Sequence, residues 1–281
     1  MKLPRSAKNR IKFIVFKEKT VYNTASAIIT EEIKMKKIIA LILVSAFMFA
    51  LAACGETKVD TDVKGEGVMT YAEYDAAALE AEVVIETYVQ AKQSWWDNKA
   101  TVYTQDKDGA YFLYNMACTE EQYAKLVPGQ KIKVTGHKAE WSGEVEIIDA
   151  TFELEEGNYI AEAVDVTALL GTDDLVKKQN QYVSFKGLTV VARTDDAGNE
   201  YAFQYSYDGS GSKESNSDLY FDVTDGKLTY TFTVESYLCD STTAVYAAVE
   251  NLKVGDIIDM TGFLYWYNGV NPHITEVKVV G

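Results

Sequence analysis

The chain has 281 residues, with 42 Asp or Glu against 27 Lys or Arg and a formal net charge of −15 at pH 7. Residues 1–53 hold 10 of the 27 basic and 3 of the 42 acidic residues, so residues 54–281 carry 17 against 39, a net charge of about −22. A surface that acidic repels phosphate backbones, whose binding depends on clustered Lys and Arg, and so disfavours nucleic acid as a partner.

The first readable element runs from Met35 to Cys54. Lys36 and Lys37 precede a run from Ile38 to Ala50 that is apolar but for Ser45, and Leu51-Ala52-Ala53-Cys54 close it. About 20 apolar residues are needed to span a bilayer; this run of 13 before small residues reads instead as a signal peptide over 35–53. The last four residues resemble the lipobox of bacterial lipoproteins. That resemblance implies that the Cys54 thiol takes a diacylglyceryl group, that a peptidase cuts just before it, and that the mature chain is anchored on the extracytoplasmic face of the membrane. Two acyl chains, at about 0.8 kcal/mol per buried methylene, make such anchoring stable where one would be marginal. Translation is expected to begin at Met35, with residues 1–34 an upstream extension: Glu31-Glu32-Ile33-Lys34 reads like a purine-rich ribosome-binding stretch translated as codons.

Beyond Cys54, residues 54–69 are rich in Gly and charge and read as a tether to the lipid. The remainder has few prolines and many Tyr, Val, Thr and Ile, a β-rich composition. An internal repeat organises it. Leu126-Val127-Pro128-Gly129-Gln130-Lys131-Ile132-Lys133-Val134-Thr135-Gly136 recurs, 126 residues later, as Leu252-Lys253-Val254-Gly255-Asp256-Ile257-Ile258-Asp259-Met260-Thr261-Gly262. Gly143 meets Gly269 and Ile148 meets Ile274 at the same offset. Upstream, Asp108-Gly109 matches Asp225-Gly226, each between alternating strands as hairpin turns require, and Cys118 matches Cys239.

In chain order the first unit reads as strands near 82–92, 99–105 and 110–116, a helix near 119–126, and two strands within 130–151. Five strands with a helix between the third and fourth is the OB layout, and Leu-x-x-Gly-x-x-Ile-x-x-Thr-Gly resembles the segment that joins helix to fourth strand in bacterial OB-fold proteins. The expected fold class is mainly β: two tandem five-stranded OB-like barrels, over 70–157 and 158–281. They join near Glu155-Glu156-Gly157-Asn158, with short helical pieces over 165–178. The second carries an insertion over 193–217, with an extra strand from Tyr201 to Tyr207 and a polar Asp208-Gly209-Ser210-Gly211-Ser212 loop.

OB barrels bind across strands 2 and 3 and the loops joining strands 1–2 and 4–5. Those loops hold Trp95, Trp96 and Trp141 in the first unit and Tyr265, Trp266 and Tyr267 in the second, which accounts for all 4 tryptophans. Such rings stack on bases or on sugar faces, or pack barrel ends; charge favours a neutral glycan or a cationic peptide over DNA or RNA. Asp106, Asp108, Asp195, Asp196, Asn199 and Glu200 gather at turns without the calcium-loop pattern, so turn chemistry accounts for them and no metal is expected. Cys118 and Cys239 are read as small buried residues, with an interdomain disulfide or a redox role as alternatives. His137 and His273 occupy different repeat positions, and no metalloprotease, nucleophile-elbow or phosphate-loop motif is present. The expectation is a membrane-anchored binding or adaptor lipoprotein without catalytic residues or cofactor. The alternatives are an envelope assembly protein using its barrels for protein contacts and a nucleic-acid-binding OB-fold protein.

Overall fold

Short apolar–polar alternations bounded by turns build both halves of the molecule. The computed structural model describes residues 64–195 and 198–281; Cys54, the signal segment, the expected upstream extension and Asp196 lie outside the described residues. No described helix is long and apolar enough to cross a membrane.

Helix α1 (Tyr71–Ala76) opens on a capping box between Thr70 and Glu73. Strands β1 (Glu82–Lys92), β2 (Lys99–Gln105), β3 (Ala110–Ala117), β4 (Gln130–Trp141) and β5 (Glu144–Asn158) follow, with helix α2 (Glu120–Lys125) between β3 and β4. They close into a barrel in the order β1-β2-β3-β5-β4, with β3 and β5 parallel and the other neighbours antiparallel. Inside lie Val83, Ile85, Val102, Leu113, Ile132, Val134 and Ile147, with Tyr74 of α1 plugging one end.

The second half enters through β6 (Val164–Asp165) and two 3-10 turns, Thr167–Leu169 and Leu175–Lys178. Then come β7 (Tyr182–Val191), the two-residue strands β8 (Arg193–Thr194), β9 (Glu200–Tyr201) and β10 (Gln204–Tyr205), β11 (Leu219–Thr224) and β12 (Thr229–Val234). Helix α3 (Ala244–Glu250), β13 (Ile257–Phe263) and β14 (His273–Val279) complete it. Strand β7 pairs with both β11 and β13, β12 pairs with β11 and β14, and β13 pairs with β14, which closes the same five-strand ring. The protein is therefore mainly β, with two tandem OB barrels, each with its helix between the third and fourth strands.

Local details depart from the sequence reading. The extra strand expected over 201–207 is broken into β9, paired with β8, and β10, paired with β11, because Phe203 between them turns in to pack on the core. Strand β5 continues through Glu155–Asn158, where the join was expected. At the end of the expected tether, Lys64 Nζ lies 2.6 Å from Asp106 Oδ2 and donates to the Glu86 carbonyl oxygen at 2.9 Å, and Met69 N–H donates to Val84 O at 2.8 Å. Residues 64–69 are thus held on the first barrel.

The repeated motif has a physical explanation at each position. Leu126 and Leu252 are buried under the helix ends, and Ile132 and Ile258 point into the two cores. Gly129 and Gly255 sit at φ +89° and +96°, a turn conformation that costs a residue with a Cβ about 1–2 kcal/mol. Gly136 and Gly262 answer a different need, because strand 5 crosses strand 4 there at a bulge. A Cβ on Gly136 would meet Ile147 Cγ2 at 2.7 Å and the Ile148 carbonyl oxygen at 2.9 Å, and one on Gly262 would collide with the His273 carbonyl. Backbone cannot retreat as a flexible side chain can. Gly262→Ala and Gly136→Ala should each destabilise the protein by about 3 kcal/mol in urea unfolding, whereas Gly226→Ala, at an open turn, should cost only about 1 kcal/mol. Equal losses at all three sites would refute the crossing as the reason for the motif.

Candidate functional site

The outer face of β2 and β3 in the first barrel, where an OB fold ordinarily takes its ligand, is covered by the second barrel. Tyr103 on β2 and Phe112 on β3 are buried in a cluster with Phe263. The Tyr103 and Phe263 rings stack at 4.5 Å, and Tyr265 meets Phe112 edge-on at 5.4 Å. Polar contacts ring this aromatic joint. Ser94 N–H donates to Tyr237 O at 2.7 Å, Gln93 Nε2 to Glu235 Oε2 at 3.0 Å, Tyr182 N–H to Gln105 Oε1 at 2.8 Å, and Asn268 N–H to Ser142 O at 2.7 Å.

Three buried titratable groups lie in the joint: Glu235, whose carboxyl burial pushes up to about 7, Glu144 and His273. Glu144 Oε2 accepts from Trp266 N–H at 2.9 Å and from Gln179 Nε2 at 3.0 Å. Burial outweighs these donors and pushes its carboxyl up to about 8. Asn180 lies in hydrogen-bonding reach of that carboxyl, and Glu144 Oε1 and Asn180 Oδ1 both lack a partner among the described residues. His273 Nδ1 lies 2.6 Å from the Tyr103 hydroxyl, and complete burial lowers the imidazole to about 3, keeping it neutral.

The equivalent face of the second barrel is open. Between β11, β12 and the loop from Leu264 to Pro272 lies a cleft of about 640 Å³, lined by Tyr207, Tyr220, Tyr267, Thr229, Thr231, Asn268 and Asn271, among others. Among the described residues no charged side chain lines it. Its rings come from four places: Tyr220 from β11, Tyr230 from β12, Tyr267 from the loop between strands 4 and 5, and Tyr207 from the insertion. Tyr267 leans on Trp141 of the first barrel, with ring centres 5.1 Å apart, so the two loops between strands 4 and 5 form one rim.

The six aromatic residues singled out from sequence divide accordingly. Trp96 (77% exposed), Trp141 (54%) and Tyr267 (48%) present their rings to solvent. Trp95 donates from Nε1 to Cys118 O at 2.8 Å, Tyr265 stacks on His273 at 4.3 Å, and Trp266 packs on the second core, so these three build structure. Only Trp141 and Tyr267 come together; Trp96 sits apart, at the start of a tight turn through Asp97 and Asn98, both with positive φ. Sequence reasoning missed Tyr207 and Tyr220. Tyr220 was detectable as an outward position of an alternating second strand, whereas nothing local distinguished Tyr207 from the other aromatic residues of the insertion. Cys118 and Cys239 are buried free thiols, which fits small core residues. Asp106 accepts from the backbone of Asp108 and Gly109 at 2.7 Å, the turn role expected of it. Among the described residues no group of His, Cys, Asp and Glu could hold a metal ion.

The two closed rings define a tandem OB-fold protein in which, among the described residues, the β2–β3 face is covered in the first barrel and its tyrosine-lined counterpart is open in the second. No family model matches the chain, and no curated protein matches it in sequence. Among solved structures it is similar to the HINa domain of Ifi202 in complex with a 20 bp double-stranded DNA, at 11% identity and a TM-score of 0.34, over 72% of this chain and 99% of that one. It is also similar to a replication protein A heterotrimer bound to single-stranded DNA, at 12% identity and a TM-score of 0.27, over 72% of this chain and 52% of that one. A third likeness is to a deletion mutant of the single-stranded DNA-binding protein from Thermus aquaticus, at 13% identity and a TM-score of 0.20, over 73% and 96%. The fold assignment stands on strand order and helix placement, not on these values.

The joint makes stability depend on pH in two directions. Glu144 is raised on folding, so its contribution is full below about 4.5 and is lost as pH rises through about 8. His273 is lowered, so its contribution is present above about 6.5 and is lost as pH falls toward 3. Urea midpoints measured across about pH 4 to 9 should peak on the acid side of neutrality, and Glu144→Gln should make the alkaline limb shallower, leaving the part that Glu235 and Glu146, both raised to about 7, supply. An alkaline limb unchanged in that variant would remove Glu144 as a source of it.

Proposed function

We propose that this protein is a non-enzymatic binding module, tethered outside the cell membrane through lipidated Cys54, that holds an uncharged oligosaccharide on the open face of its second barrel. One observation carries the ligand class: the cleft combines exposed tyrosine rings with Asn and Thr side chains and contains no charged group. Rings cover the apolar faces of sugars, while amide and hydroxyl groups answer sugar hydroxyls, which donate and accept in equal measure. An anionic ligand would meet no cation in the lining, and residues 54–281 carry about −22 around it.

The second reading is single-stranded nucleic acid, because the same tyrosines could stack on bases. DNA is the ligand named for the solved structures above, but likenesses that weak do not carry it over. Phosphate contacts normally come from Lys and Arg, and this cleft offers neither.

The test is a titration of the full-length chain with cello- and chito-oligosaccharides and, in parallel, with oligothymidylates at physiological salt. Trp141, in contact with Tyr267, should report occupancy through its fluorescence. Saturable saccharide binding is expected, and Tyr267→Ala and Tyr220→Ala should each weaken it about tenfold, or about 1.4 kcal/mol. Tighter binding of oligothymidylate would favour the nucleic-acid reading, and binding indifferent to both variants would move the site elsewhere.

Anchoring has its own test. Replacing the lipid-accepting thiol, Cys54→Ser, should shift the protein from the membrane fraction to the soluble one and abolish incorporation of labelled fatty acid. Retention in membranes without label would rule out the lipid anchor.

A further inference from the structure

We infer that the loop inserted between β7 and β11 adds a second subsite, so that one extended, uncharged oligosaccharide runs from the β11–β12 cleft across Tyr207 and under the insertion. This rests on the saccharide reading above and extends it to a chain of many units.

The argument begins with Tyr207. Its ring is 69% exposed, yet the residue is held from several sides. The Arg193 guanidinium lies 5.6 Å from the ring centre and donates to the Tyr207 carbonyl oxygen at 3.4 Å, while Tyr220 meets the ring edge-on at 5.6 Å. Arg193 is itself fixed, by Asp222 Oδ1 at 2.6 Å and Gln204 Oε1 at 3.1 Å. An aromatic ring that is both exposed and immobilised adds nothing to a core, but it binds a flat ligand face without an ordering cost.

The same ring is a wall of two clefts. One is the open face already described; the other, of about 770 Å³, lies under the insertion, where Thr194, Tyr201, Phe203 and Gln204 share the lining with Arg193 and with the carboxylates of Asp195 and Asp208, which can accept from sugar hydroxyls. Either volume suits a single small ligand; two of them meeting at one ring suit a chain that passes over it. The second cleft is not an anion site, since its guanidinium is already paired with Asp222. Nor does the barrel require the insertion, because the first barrel makes the same connection with the six residues 93–98, closed by a tight turn at Asp97 and Asn98.

The experiment compares dimers with octamers of cello- and chito-oligosaccharide on the full-length chain, the Thr194→Trp variant and Tyr201→Ala. Thr194 is exposed on β8, so an indole there should fill the second cleft without entering the core. In the unaltered protein the octamer should bind about tenfold or more tighter than the dimer. Thr194→Trp should bring the octamer down to the dimer's affinity and leave the dimer unchanged. Should that variant lose dimer binding as well, Tyr201→Ala decides, with the same selective loss expected. Equal affinity for dimer and octamer, or an octamer affinity untouched by both variants, overturns the second subsite while leaving the saccharide reading intact. Failure of every oligomer to bind overturns both.

Discussion

The arrangement depends on the burial of one barrel's ligand face against the other. Tyr103 and Phe112 stand where an OB barrel would normally meet its ligand, and they are covered by Phe263 and Tyr265. Offset and edge-on ring pairs contribute about 0.5–1.5 kcal/mol each beyond the area they bury, and Tyr103 is fully enclosed. A duplicated binding fold has thereby become asymmetric: one copy supplies a platform and the other keeps an open face. The rim shows the same division, since Trp141 of the platform supports Tyr267 of the working face.

The joint's polar content follows from what it had to exclude. Closing two barrel faces over each other removes water from any polar group between them, and each such group must then find a partner or be neutral. Gln93, Gln105 and Gln179 reach across as neutral donors or acceptors, and His273 and Glu144 are held in their uncharged forms. The opposed titrations of a carboxyl and an imidazole are thus a by-product of fitting ionisable residues into a dry interface.

Much of the fold was legible because its signals are local. Leu-x-x-Gly-x-x-Ile-x-x-Thr-Gly specifies a helix end, a left-handed turn, a core position and a strand crossing within eleven residues, and it occurs twice. The binding face was less legible because exposure there is decided by tertiary docking. Trp95 and Trp96 are neighbours in one loop, yet one bonds to Cys118 and the other faces water. Tyr265 and Tyr267 share a strand end and a loop, yet one stacks beneath the second barrel and the other lines its open cleft. Helix α1 escaped notice because six residues carry too little periodicity to register.

Charge and shape together narrow what the open face can hold. The acidic surface discourages polyanions at long range, and the cleft lining discourages any ion at short range. Arg193 illustrates how charge is kept from the β11–β12 face: its guanidinium is turned to Asp222, Gln204 and the Tyr207 backbone, so it supports the ring there. Recognition is left to tyrosine faces and to the amides and hydroxyls between them. Such a surface discriminates through ring spacing and hydrogen-bond pattern, not through Coulomb attraction. On the saccharide proposal, the ligand presents flat apolar faces at intervals along an uncharged backbone.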